Sequence, residues 1–122
     1  SVEAEVEAAY LESWDVYTDA VRTFDTSKLA DVYVDAALQL RLDEVADLKA
    51  ANTPGRMRVD HNIKSIEVND RQAVVRDEYL NHSVLLNAQG EPTEQDPNTV
   101  VKRQYLLLLD GDVWKVADVL SS

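Results

Sequence analysis

The hydrophobic pattern of this chain changes its period once, at Asn52-Thr53-Pro54-Gly55, and that change limits the fold more than any other feature. Before it, Val6, Tyr10, Trp14, Tyr17, Val21 and Phe24 recur every three or four positions, and Leu38, Leu42, Val45 and Leu48 repeat the spacing. This is the pattern of helices that bury one stripe. After it, Met57, Val59, His61 and Ile63 alternate with Arg58, Asp60 and Asn62, the pattern of a half-buried strand. Pro and Gly stand where a helix must end.

The spacing predicts helices over about 3–25, 28–33 and 36–51. Glu3, Glu5 and Glu7 lie in the opening turns, where the helix dipole favours negative charge. Asp25-Thr26-Ser27 supplies stop and cap chemistry, and Asp35 is expected to cap the last helix. Strands are expected over about 56–68, 72–86, 99–109 and 113–120, with turns at Asn69-Asp70 and Asp110-Gly111-Asp112 and a long polar loop over 87–98. Ile66 and Val68 have the opposite parity to Ile63, so a bulge or bend is expected near Lys64-Ser65. At ~3.3 Å per residue, a flat strand over 72–86 would overrun a domain whose radius of gyration is ~14 Å. It must curl. The expectation is one α+β domain over 1–122, with helices on one face of a curved four-stranded antiparallel meander, shaped as a cone.

Composition removes several function classes. Asp and Glu total 23 against 12 Lys and Arg, a net charge of −11 that repels phosphate backbones and argues against nucleic-acid binding. With no cysteine, disulfides, thiolate chemistry and cysteine-ligated zinc are excluded. No apolar run approaches the ~18 residues of a membrane-spanning helix, so no membrane insertion is expected of this segment. The calcium-loop pattern, His-Glu-x-x-His, a Gly-rich phosphate loop and Gly-x-Ser-x-Gly do not occur. The i, i+4 pairs Asp15/Asp19, Asp31/Asp35 and Asp43/Asp47 read as hydrated faces, because two carboxylates are too few ligands for calcium. No metal or cofactor is expected.

The element order closes on Tyr105-Leu106-Leu107-Leu108-Leu109-Asp110-Gly111-Asp112-Val113-Trp114-Lys115-Val116-Ala117-Asp118. It resembles the nuclear transport factor 2-like superfamily, the cystatin-like α+β roll. Leu48 before the helix stop, Val59-x-His61, Ile66-x-Val68, Ala73-x-Val75 and Trp114-Lys115-Val116 resemble the pattern of exported bacterial domains and of the intermembrane-space domain of a chloroplast-division protein. The resemblance implies a cone able to hold a ligand between sheet and helices. It also implies that catalytic members use Asp, His and Tyr in that cavity, while other members are non-catalytic modules.

His61 shares the parity of Met57, Val59 and Ile63; Asp77 and Tyr79 share that of Ala73 and Val75; Tyr105 shares that of Val101 and Leu107. If these faces are concave, His61, Asp77, Tyr79 and Tyr105 converge, and a histidine beside a carboxylate in a partly dry cavity is acid–base apparatus. Trp14, Tyr17 and Tyr33 are candidates to line the same cavity. The alternative reading of these residues is structural: a core-edge histidine, a solvated Asp77 beside Arg76, and packing tyrosines. His82 has the opposite parity and is expected to face solvent or a partner, and the acceptor-like triplet Asn81-His82-Ser83 is poorly placed within a strand.

The other sheet face also carries apolar residues, among them Val74, Leu80, Val84, Leu86, Val100, Leu106 and Leu108. Leu80, Val84, Val100, Leu106 and Leu108 are the candidates for a homodimer interface through that face, against the alternative that the curl buries them. The leading functional expectation is a non-catalytic binding or assembly module, exported or membrane-tethered in a bacterium, taking a small apolar ligand or a peptide. The alternative is a small cofactor-free isomerase, dehydratase or hydrolase using His61 with Asp77 and a tyrosine.

Overall fold

The computed structural model describes residues 1–120; the last two positions of the expected domain lie outside the described residues. Helix α1 spans Val2–Thr23, a single 3-10 turn spans Leu29–Asp31, and helix α2 spans Asp35–Ala51. Ser1 caps α1, its Oγ accepting from the Ala4 N–H at 3.2 Å, and Phe24 closes it in the left-handed conformation at φ 66°. The Asp25 carboxylate then accepts from the Ser27 N–H at 2.9 Å, so the stop chemistry expected there is present. The expected helix over 28–33 is only the 3-10 turn, which Val32 closes; Tyr33 then bridges to Val116 and Val34 is extended. The Val34 N–H donates to the Val116 carbonyl and the Val116 N–H to that of Val32, each at 2.9 Å. Those two bonds cover the free edge of the last strand.

Helix α2 corrects the expected cap. Val34 holds the N-cap position with no side-chain hydrogen bond, and Asp35 already lies in the first turn, at φ 53°. The end is as expected: Asn52 is left-handed, and the Thr53 N–H reaches back to the Leu48 carbonyl at 3.0 Å in a Schellman close.

The second half is all antiparallel sheet, but in shorter pieces than expected. The strands are β1 (Gly55–Arg56), β2 (Val59–Asp60), β3 (Ile63–Asn69), β4 (Gln72–Asn81), β5 (Val84–Leu85), β6 (Thr99–Asp110) and β7 (Val113–Leu120). β3 and β2 pair successive lengths of β4, which pairs β6, which pairs β7, while β1 and β5 form a separate ribbon. The expected strand over 56–68 is thus β1, β2 and β3, and that over 72–86 is β4 and β5. The register shift between Ile63 and Ser65 is the bulge inferred from parity. The first hairpin turns one residue later than expected, on Asp70-Arg71, since Asn69 pairs with Gln72 and Asp70 takes φ 59°.

β4 ends where Asn81 Oδ1 accepts from the Ser83 N–H at 2.9 Å, a local bond that competes with the ladder. The break lets the long second strand curl. It also resets parity: Val84, expected on the outer face, is only 4% exposed and faces inward. The core lies between the helices and the concave face, where Val6, Tyr10 and Val21 of α1 and Val45 of α2 meet Val75, Leu107 and Val116.

Candidate functional site

The first charged group in this core is Asp77. It lies mid-strand on β4 with its side chain wholly buried, so it is not the solvated charge of the structural reading. Its Oδ2 accepts from the Tyr10 hydroxyl at 2.6 Å and lies 2.6 Å from His61 Nδ1, while Oδ1 accepts from the Asn62 N–H at 3.0 Å. Burial alone would push the Asp77 carboxyl up. The hydrogen bonds from His61, Tyr10 and the Asn62 backbone outweigh it and hold the group below its usual range. The Tyr10 hydroxyl is pushed well above its usual value, chiefly by burial, then by Tyr105 and Asp77. His61 sits in the two-residue break between β2 and β3, which the Asn62–Asp77 bond fixes, and its side chain is 20% exposed. The group ties α1, the strand break and β4 into one clamp.

His61 and Asp77 therefore meet, as parity suggested. Tyr10 completes them, although it reads in the sequence only as one more apolar position of the helix stripe. The other candidates surround the clamp. The Trp14 ring is 5.4 Å from that of His61 and 5.1 Å from that of Tyr79, and the Tyr105 ring is 5.1 Å from that of Tyr10. Tyr33 points elsewhere: it is buried, and its hydroxyl donates to the Ser13 carbonyl at 2.9 Å. The cup is filled by these side chains, and two open clefts bring solvent to Trp14 within it. One, of about 440 Å³, runs along α1 past Leu11, Trp14, Thr18 and Val59 to His61. The other, of about 280 Å³, is the mouth of the cone, lined by Trp14, Tyr17, Tyr79 and Tyr105 together with Arg41 and Arg103.

Arg41 is the residue that sequence reasoning passed over. It lies on α2 midway between the buried Ala37 and Val45, so helical spacing alone places it on the inner stripe. It is 8% exposed. Its guanidinium stacks 3.9 Å above the Tyr17 ring, with Trp14 at 5.4 Å and Tyr33 at 5.5 Å, and Nη1 donates to Glu44 at 2.9 Å. Burial would lower its pKa, but Tyr33, Tyr17 and Glu44 more than offset this, and it remains a cation.

His82 does not face open solvent. Its side chain is 11% exposed, with Nδ1 2.8 Å from Asp96 Oδ2 and Nε2 3.4 Å from Asp60, because the β4 break turns it towards the 87–98 loop. Among the described residues no group of three or more His, Asp or Glu side chains is arranged to hold a metal ion, the three aspartate pairs included. Among the same residues, no helix is long and apolar enough to cross a membrane.

Two helices packed into the cup of a curled antiparallel sheet make an α+β roll. The chain is similar to the intermembrane space region of the chloroplast protein ARC6, at 15% identity over 98% of this chain and 97% of that one, with a TM-score of 0.78. It is also similar to the Kfla4162 protein of Kribbella flavida, at 15% identity over 98% and 90% of the two chains, with a TM-score of 0.61. At such identity the likeness is one of fold. No family profile and no curated protein matches the sequence.

Proposed function

We propose that this chain is a non-catalytic binding or assembly module that takes a small apolar ligand or a peptide at the mouth of the cone. The observation that carries this is the closed interior: both oxygens of Asp77 are committed to internal partners, and its side chain is wholly buried. A dyad so enclosed works as a clamp, whereas the mouth offers aromatic surface and two cations to an incoming molecule. The setting we infer is extracytoplasmic, in an exported or membrane-tethered bacterial accessory domain, supported by the fold shared with an intermembrane space region. Assembly with a second copy through the outer sheet face belongs to the same reading. Leu80, Leu106 and Leu108 are half-buried there, and Val100 is 62% exposed.

A second reading rests on one observation. His61 lines the cleft along α1 with Nδ1 held by Asp77, the arrangement that fixes a histidine as a general base in a small isomerase, dehydratase or hydrolase. A screen of neutral apolar fragments and short peptides, mapped by amide chemical shifts while the spectra of the added compounds are followed, separates the two. The binding reading expects shifts at Trp14, Tyr79 and Tyr105 and unchanged compounds. Conversion of any bound compound, lost in His61→Gln, would overturn it.

A further inference from the structure

The mouth of the cone carries an imbalance that the chain does not resolve. A guanidinium has five N–H donors, and a buried cation needs acceptors as well as opposite charge. The chain gives Arg41 one acceptor, the Glu44 carboxylate on Nη1, and three aromatic faces. Its Nε is buried with no hydrogen-bond partner. Asp77, on the other side of Trp14, shows the contrast: there the fold supplies three hydrogen bonds to one carboxylate. Along the cleft Arg41 and Arg103 contribute two positive charges and Glu44 one negative, leaving a local excess of one positive charge in a chain of net −11. Around these charges the lining is apolar and aromatic, with Trp14, Tyr17, Met57 and the exposed Leu40.

We propose that the mouth of the cone is a binding site for a small monocarboxylic acid with a flat apolar body, whose carboxylate meets Arg41 and Arg103 and whose body lies against Trp14 and Tyr79. The proposal rests on the binding-module reading and names the ligand class of that same site. Three features select this chemistry. The local excess matches a singly charged anion better than a dianion. The planar guanidinium fork matches a carboxylate. The cleft, at about 280 Å³, lies just below the range of ~300–1,000 Å³ typical of drug-sized ligands, which limits the body to about one ring.

The test is titration of the full chain with benzoate, benzamide and inorganic phosphate, followed by amide and arginine side-chain chemical shifts. Benzoate is expected to bind saturably with shifts centred on Arg41, Arg103 and Tyr79. Benzamide and phosphate are each expected to bind at least ten-fold more weakly, and Arg41→Gln to weaken benzoate at least ten-fold. Arg103→Gln, at an exposed position, is expected to weaken benzoate at least three-fold, and it keeps the test decisive if Arg41→Gln does not fold. Benzamide or phosphate matching benzoate, or either folded variant retaining full affinity, overturns the proposal. Neutral fragments that bind the mouth without any gain from a carboxylate would overturn it while leaving the binding-module reading intact. Failure of every fragment, peptide and anion to bind there would sink both.

Discussion

Asp77→Asn isolates the clamp, because the amide keeps the size of the side chain while removing its charge. Oδ1 can still accept from the Asn62 N–H, so that bond survives. The position of Oδ2, which now serves both Tyr10 and His61, becomes an amide nitrogen facing two donors. Each bond to a buried charge contributes about 1.5–3 kcal/mol. His61 can recover part of one by presenting an unprotonated Nδ1 to the amide, which leaves a net cost of about 3 kcal/mol. With an unfolding entropy of about 2.1 cal/mol/K per residue, a chain of this length loses roughly 12 °C in Tm. Tyr10→Phe, which removes one bond and leaves the charge, should lose about half as much. Thermal melts followed by far-UV circular dichroism at pH 7 measure both. An Asp77→Asn protein melting within about 2 °C of the wild type would refute the clamp, because a buried charge without net stabilising partners carries no such cost.

The same variant fixes the sign of the pH dependence. The folded-state pKa of Asp77 lies below its ordinary value of 3.8, so the unfolded chain takes up the proton first. The contribution of the carboxylate is therefore complete above that ordinary value and declines as pH falls through the folded one. The gap between wild type and Asp77→Asn should hold from pH 7 to about 5 and narrow below about 4. A gap that widens in acid would contradict the assignment.

Arg41→Met should cost about 1 kcal/mol or less in chemical denaturation, since it forfeits the stacking on Tyr17 but also the burial of an incompletely partnered cation. A loss as large as that of Asp77→Asn would mean that Arg41 is structural. Gly55→Val should cost about 2 kcal/mol, because even a Cβ at Gly55 would lie 3.3 Å from Val21 Cγ2 and within contact of Leu48. An unchanged melting temperature would show that these neighbours can give way. If the outer sheet face pairs two copies, sedimentation at micromolar concentration will find a dimer that Leu106→Glu converts to monomer; a wild-type monomer removes that part of the proposed function.

What could be read from the sequence was whatever depends on the phase of a repeat. The stripe from Val6 to Val21, the bulge near Lys64 and the shared inner face of His61, Asp77, Tyr79 and Tyr105 follow from periods of 3.6 and 2, and the fold keeps all three. Phase fails where the chain breaks and restarts. A side-chain bond at Asn81 ends β4, and beyond it Val84 turns inward and His82 becomes enclosed, opposite to what an unbroken strand predicts. The signal was present in Asn81-x-Ser83, since Asn and Ser offer the backbone an alternative to the ladder. Residue type misled in two other places. Tyr10 counted as an apolar position although its hydroxyl holds the buried charge, and Arg41 was passed over although its spacing from Ala37 and Val45 places it inside.

Those two omissions share a physical origin and point to where function lies. Trp14 stands between the two buried charges, its ring 5.4 Å from that of His61 and 5.4 Å from the Arg41 guanidinium. On the His61 side the charge is satisfied by the chain alone, and a site whose bonds are complete gains nothing from a ligand. On the Arg41 side the aromatic faces attract the cation without accepting its hydrogen bonds, so donors remain beside an open cleft. Folding tolerates that shortfall because the stacking and Glu44 offset most of the burial penalty. The free energy still to be gained lies in acceptors that the chain does not supply, and an incoming anion would supply them.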